Sequence, residues 1–368
     1  MKHVDEYRDG KSIRRYVERI RAIATRPWTL MEICGGQTHA ILRHGIDQLL
    51  PDIALLHGPG CPVCVTPAEV IDTAVALAQR SSVTLCSFGD MLRVPGNQGS
   101  LLAAKARGAD VRMVYSPLDA VALARQLPDR EVVFLAIGFE TTAPTTAIAV
   151  LQAEQAALQN FSLLTAHVLV PPAIETILSD ESLQIQGFLA AGHVCTVMGY
   201  WQYESIAQRF GVPIVITGFE PVDLLHGIYA CVRQLQQGRA DIENAYPRMV
   251  QRTGNAIAQQ VMQQVFTTRS QAWRGMGEIP DSGLELAPRY ARFDAAKKFR
   301  CVVPTATPGS ACISGDILRG HAKPHQCPAY GVACTPEHPL GATMVSSEGA
   351  CAAYYHYRRP VRRTGTES

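Results

Sequence analysis

An α/β fold with largely parallel sheets is predicted for this chain by three observations. Short apolar runs rich in β-branched residues recur along the first two thirds. They lack the polar alternation of half-exposed strands, as expected where both faces of a sheet are buried. Helical stretches with legible starts separate them, and strands alternating with helices favour parallel pairing.

The predicted strands are 29–33, 53–57, 83–86, 111–114, 132–137, 162–168 and 213–217. Thr66-Pro67-Ala68-Glu69 has the pattern of a capping box with proline at the first helical position. Ser116-Pro117-Leu118-Asp119 begins another helix, and Pro221 begins a third that ends before Gly238. One internal echo occurs: VFLAIGFE ending at Glu140 and PIVITGFE ending at Glu220. Turns at strand carboxyl ends line the ligand crevice of open α/β sheets, although a glycine turn and a helix-starting glutamate account for the echo equally well. The two copies are read as parts of one region, without duplication. After residue 238 the character changes. Residues 246–269 read as one or two polar helices, and beyond Trp273 the chain is rich in Gly, Pro and Cys with little periodicity. Four thiolates gathered on a metal cluster would organise such a segment.

With 368 residues the chain exceeds a usual single core, so two or three domains are expected. Lys and Arg number 34 against 32 Asp and Glu, a balance that argues against nucleic acid or a membrane surface as partner. The first residues lack the basic-then-apolar run of a signal peptide, and the apolar runs are strand-length. A cytoplasmic setting is expected, where thiols stay reduced and clustered cysteines serve metals or redox chemistry. The odd count of eleven cysteines also speaks against a closed disulfide framework.

The cysteines fall into two stations. Near the front are Cys34-Gly-Gly-Gln-Thr-His39 and Gly58-Pro-Gly-Cys61-Pro-Val-Cys64, each at a predicted strand-to-helix turn. Gly35 and Gly36 remove side chains beside Cys34 and leave room for a ligand. Thr38 is expected to cap the following helix, and His39 to lie within reach of whatever Cys34 binds. Cys61-x-x-Cys64 resembles a dithiol redox pair, although CxxC is also half of many zinc sites. In a parallel sheet both turns fall at strand carboxyl ends and can converge in one cleft. The second station is Cys312, Cys327, Cys334 and Cys351, set among prolines and glycines. Four thiolates suit a [4Fe–4S] cube or a tetrahedral zinc, and wide spacing without a CxxC favours the cube. Cys86, Cys195, Cys231 and Cys301 carry no motif, although Cys195 stands two residues after His193.

Together these segments resemble the HypD family of hydrogenase maturation proteins. The resemblance rests on the two front motifs, Gly138-Phe-Glu-Thr-Thr142, Gly218-Phe-Glu220, the stretch His321-Ala-Lys-Pro-His-Gln-Cys327 and the quartet spacing. It spans about residues 16–355. The family's first motif often carries His where this chain has Gln37.

The resemblance implies two Rossmann-like α/β domains and a loop-rich [4Fe–4S] domain. The first would cover 24–118, completed by 350–360, and the second 119–237. The cluster domain would cover 238–350 and pack with an N-terminal helix at 10–23. It also implies a scaffold, shared with a small HypC-like partner, on which the Fe(CN)2CO unit of [NiFe]-hydrogenase is assembled. Cyanide would arrive from a HypE–HypF system, and the finished unit would pass to the hydrogenase large-subunit precursor. Cys34 would share the iron with a cysteine of the small partner. Cys61 and Cys64 would act as redox pair or auxiliary iron ligands, and the quartet would hold the cluster. Whether such a scaffold counts as an enzyme is left open, since it need not turn over. The main alternative is a cluster-fed thiol–disulfide reductase acting on another protein. A structural zinc module is a second, and the absence of GxGxxG and Walker A runs disfavours a nucleotide enzyme.

Overall fold

The computed structural model describes residues 4–301 and 311–358. Eleven strands are present among them: β1 (Trp28–Glu32), β2 (Ile53–His57), β3 (Val83–Ser87), β4 (Val111–Met113), β5 (Glu131–Gly138), β6 (Phe161–His167), β7 (Gly187–Ala191), β8 (Ile214–Thr217), β9 (Ile242–Asn244), β10 (Phe266–Trp273) and β11 (Gly277–Leu286). They form two wholly parallel sheets and one antiparallel hairpin. The first sheet has the order β2-β1-β7-β8-β9 and the second β4-β3-β5-β6. Central strands such as β3, β7 and β8 are buried at every residue, which is why they read as apolar runs without alternation. Counted within its own sheet, the first has the order 2-1-3-4-5 of doubly wound folds, and the second follows the same 2-1-3-4 pattern. Each therefore reverses direction once, between its first and third strands.

Sheet membership crosses the expected division at 118/119. After β2 the chain leaves the first sheet, builds the whole second sheet over 83–167, and returns to place β7 beside β1. A parallel neighbour always arrives through a crossover, and nothing in the sequence limits what that crossover contains. The two Gly-Phe-Glu echoes accordingly follow β5 and β8, in different sheets, rather than lying in one region. The helix Gly10–Ile23 lies against Pro221–Gln236 of the first sheet, not against the C-terminal cysteine segment. Val17 and Ile20 share a core with Leu224 and Ile228, and Arg19 donates to the Tyr229 hydroxyl at 2.9 Å. The C-terminal helix Ala350–Tyr357 packs on Gly35–His44 through Ala353, Tyr354 and Leu42, with Arg358 paired to Asp47.

Two local expectations change. Thr66 does not cap the helix Ala68–Ala78; its hydroxyl donates to the Pro62 carbonyl at 2.8 Å and closes a separate turn, Pro62–Val65. Ser116 does form the capping box with Asp119. The segment read as helical then irregular contains the helix Ala256–Val265, followed at once by the β10–β11 hairpin. A register shift between Arg269 and Gln271 breaks the alternation by which the hairpin is recognised.

Candidate functional site

The first sheet's point of reversal lies between β1 and β7, where the fold opens a crevice at the strand carboxyl ends. Cys34 leaves β1 there and precedes the helix Gly35–His44, while His193 follows β7. Cys34 Sγ and His193 Nδ1 are 3.6 Å apart across the gap. Both are sheltered: Cys34 is 2% exposed, and Phe219 covers the imidazole at a ring separation of 5.3 Å. Burial pushes the Cys34 thiol well up and the His193 imidazole down to about 4, so both are neutral near pH 7.

The Cys34 turn is fixed from below by Glu32, whose side chain is fully buried. Its carboxylate accepts the Cys34 N–H at 2.8 Å, a bond from His57 Nδ1 at 2.7 Å and the Thr38 hydroxyl. Thr38 thus sits inside the helix and anchors it to the strand rather than capping it. Gln37 also turns away from the thiol, donating to the Ala190 carbonyl at 3.1 Å and to Thr217 Oγ1 at 2.6 Å. A histidine at that position would therefore not be needed beside Cys34. His39 faces the C-terminal segment, with Nδ1 3.1 Å from the Ser347 carbonyl and Nε2 3.2 Å from the Tyr357 hydroxyl.

The second thiol turn follows β2, the neighbour of β1, and the two turns interlock. Gly35 N–H donates to the Gly60 carbonyl at 2.9 Å, and Gly58 N–H to the Glu32 carbonyl at 2.8 Å. A Cβ on Gly60 would overlap the Cys34 backbone, and one on Gly35 would lie 3.2 Å from the Cys61 Cβ. Only glycine allows this approach. Cys61 is the N-cap of Pro62–Val65, and its sulfur accepts the Cys64 N–H at 3.3 Å. Cys61 therefore stands at the very start of a helical turn. Cys64 is fully buried, and burial followed by the nearby Cys61 raises its pKa well above the ordinary value. Both cysteines pack in one apolar cluster with Val133 and Leu135 of the second sheet and with Ala342 and Val345. The front thiols thus lie between the two sheets.

The C-terminal segment reaches the same place from the other side. Cys334 receives the Leu340 N–H at 3.4 Å, and Cys351 the Thr343 hydroxyl at 3.1 Å. A Cβ on Gly341 would overlap the Cys312 sulfur. Burial pushes Cys351 up to about 12, with further contributions from the charges of Cys312, Cys334 and Cys327. Among the described residues no group of three or more His, Cys, Asp or Glu could hold a single metal ion. Cys86, Cys195 and Cys231 are core residues.

Four residues at this site are not evident from the sequence: His193, Glu32, His57 and Glu348. His193 was hidden because β7 was not recognised; Glu32 and His57 each end a strand and meet only in space. Glu348, against whose Cβ a side chain on Gly35 would collide, adds a negative charge near Cys34 and Cys64.

These features define a doubly wound α/β protein with a sulfur-rich centre at the reversal of one sheet, backed by a second set of thiols. The family profile described as "Hydrogenase formation hypA family", HypD, matches residues 11–358. The chain is 50% identical over 370 residues to the hydrogenase maturation factor HypD of Rhizobium leguminosarum bv. viciae, covering 98% of this chain and 96% of that protein. Against its Escherichia coli K12 counterpart the identity is 48% over 368 residues, covering 98% and 99%. For the Cupriavidus necator protein it is 47% over 371 residues, covering 98% of each. The chain belongs to the HypD family of hydrogenase maturation factors.

Proposed function

We propose that this maturation factor is the scaffold on which, with a small HypC-like partner, the Fe(CN)2CO unit of [NiFe]-hydrogenase is assembled. The observation that carries this reading is the interlocked pair of glycine turns that sets Cys34 beside His193 and against the Cys61 turn. Iron carrying cyanide and carbon monoxide is soft, and thiolate is a suitable ligand. Here the iron is cargo. Cys34 would hold it as thiolate, jointly with a sulfur of the partner, so this chain need not enclose the metal alone. Binding deprotonates the thiol, and the neutral His193 3.6 Å away is placed to hydrogen-bond the bound sulfur. Cys61 and Cys64 would serve as redox pair or auxiliary ligands.

The quartet is read as the ligand set of a resident [4Fe–4S] cluster, each thiolate binding one iron. A cube spreads its ligands over four irons and so needs a looser set than a single zinc does. The N–H and O–H donors to Cys334 and Cys351 are the kind that tune such clusters. Bound there, it would supply single electrons. Cys64 shares an apolar cluster with Ala342 and Val345, which flank the Thr343 that bonds Cys351, and this supports redox communication between the stations.

The expected partners are the HypC-like protein, a HypE–HypF cyanide donor and, through the small partner, the hydrogenase large-subunit precursor. No helix among the described residues is long and apolar enough to cross a membrane, and a cytoplasmic site of action is proposed. The alternative reading, a cluster-fed thiol–disulfide reductase, draws on the same Cys61–Cys64 geometry but leaves the Cys34–His193 pair without a task. Infrared spectroscopy of the protein co-produced with its small partner separates them. Cyanide and carbonyl bands are expected in the wild type and lost in Cys34→Ala, while disulfide reduction persists. Bands that survive in Cys34→Ala overturn the assignment of Cys34.

A further inference from the structure

The tip of the β10–β11 hairpin is inserted between the two thiol stations. Arg274 N–H donates to the Val65 carbonyl at 2.8 Å, Nε to the Thr66 carbonyl at 2.7 Å and Nη2 to the Pro95 carbonyl at 2.8 Å. One residue thereby holds the chain that leaves Cys64. On its other side, Gly275 meets Gly315 so closely that a Cβ on either would collide with the other's backbone. Arg274 also lines a cavity of about 460 Å³ together with Cys312, Ser314, Leu340 and Gly341.

Neutral donors would satisfy the two carbonyls that the guanidinium holds. A guanidinium keeps its charge at any ordinary pH, and desolvating even a half-buried charge has a cost, so the charge itself asks for a reason. Cys312 and Glu69 line that cavity with it, and the charges of Cys64 and Asp72 also act on the guanidinium. Asp72 is already committed, accepting from Asn97 Nδ2 at 2.8 Å and from the Gln98 N–H at 2.9 Å. Glu69 lines the same cavity as Arg274 and opposes it in charge.

We propose that Arg274 is a positioning residue whose fixed charge raises the reduction potential of an iron–sulfur cluster at Cys312, Cys327, Cys334 and Cys351 while its carbonyl bonds hold the Cys61–Cys64 turn in line with it. This rests on the cluster reading above. A cluster gains one negative charge when it takes up one electron, and a neighbouring cation favours that form. Because the same side chain grips the residues after Cys64, the electrostatic and positional roles belong to one group.

The test is a redox titration of the purified, cluster-loaded full chain, followed by electron paramagnetic resonance. Arg274→Gln is expected to retain cluster content and to lower the reduction equilibrium about tenfold, about 59 mV for one electron. Arg274→Lys, which keeps the charge, stays near the wild type. Glu69→Gln leaves the arginine's hydrogen bonds untouched and shifts the potential upward, which keeps the test available if Arg274→Gln fails to fold. Potentials unmoved in both Gln variants overturn the proposal, as does Arg274→Lys titrating with Arg274→Gln. Lost cluster content at an unchanged potential makes Arg274 merely structural and overturns it too. A wild-type protein without iron–sulfur absorption overturns the cluster reading and this proposal with it, whereas a cluster of invariant potential overturns this proposal alone.

Discussion

Three buried ionisable side chains around the sheet ends give this protein a defined response to acid. His193 and His167 are pushed down to about 4 by burial, and Glu140 is pushed up to about 7. Each histidine stays neutral in the folded chain but takes a proton near 6.5 when unfolded. Its contribution to stability is present above pH 6.5 and is lost as pH falls toward about 4. Glu140 acts in the opposite sense. Its Oε1 accepts the Val170 N–H at 2.9 Å, but Oε2 is buried without a partner, so the folded chain prefers the protonated acid. Folding therefore gains from Glu140 as pH falls from about 7 toward 4.5. Two losses against one gain leave a net loss on acidification of about 3 kcal/mol, taking about 1.4 kcal/mol per pKa unit. Glu140→Gln removes the opposing contribution. It is expected to stabilise the fold at pH 8 by about 2 kcal/mol, within the cost range of an unpaired buried group, and to steepen the acid loss. Urea unfolding at pH 8, 6.5 and 5 measures both; an unchanged pH slope would refute the assignment.

At the scale of elements, the decisive units are the two glycine turns that leave β1 and β2. Their backbones meet so closely that Gly60→Ala must push Cys34 away from His193 or separate the turns. Overpacking of this kind costs about 1–3 kcal/mol, which a chain of this size survives. The expected outcome is retained far-ultraviolet circular dichroism with loss of the cyanide and carbonyl bands; bands at wild-type strength would show that the interlock is dispensable. These turns were legible in the sequence because Cys-Gly-Gly and Gly-Pro-Gly-Cys advertise close backbone approach after branched, apolar strands. The partner of Cys34 was not. His193 follows β7, whose Gly-Phe-Leu-Ala-Ala run carries no β-branched residue and does not read as a strand. The hairpin that bears Arg274 was missed for a related reason: its strands are half exposed and its pairing shifts register midway. Glu32 and His57 show the remaining limit, since two strand-terminal residues 25 positions apart are joined only by the parallel register of β1 and β2.

At the scale of the molecule, the first sheet is assembled from two distant stretches. β1 is flanked by β2 and β7, and between β2 and β7 in sequence lies the entire second sheet. The front thiols inherit this arrangement: Cys34 belongs to a strand completed by β7, whereas Cys61 and Cys64 rest on Val133 and Leu135 of β5. A boundary near 118 would leave β1 without β7 and β3 without β5, each exposing a row of unpaired N–H and carbonyl groups and one side of a buried strand. The fragment ending at residue 118 is therefore expected to lack cooperative unfolding and dispersed amide resonances, although it contains both front cysteine motifs. The fragment 80–169, which holds every strand of the second sheet, should retain more secondary structure, despite losing the apolar cover of Phe266, Leu284 and Phe293. Thermal melts followed by circular dichroism, with proton–nitrogen correlation spectra of both fragments, decide the matter. A cooperative transition in the fragment ending at 118 would mean that the thiol turns need neither β7 nor β5, and that the two sheets are joined for function rather than for folding.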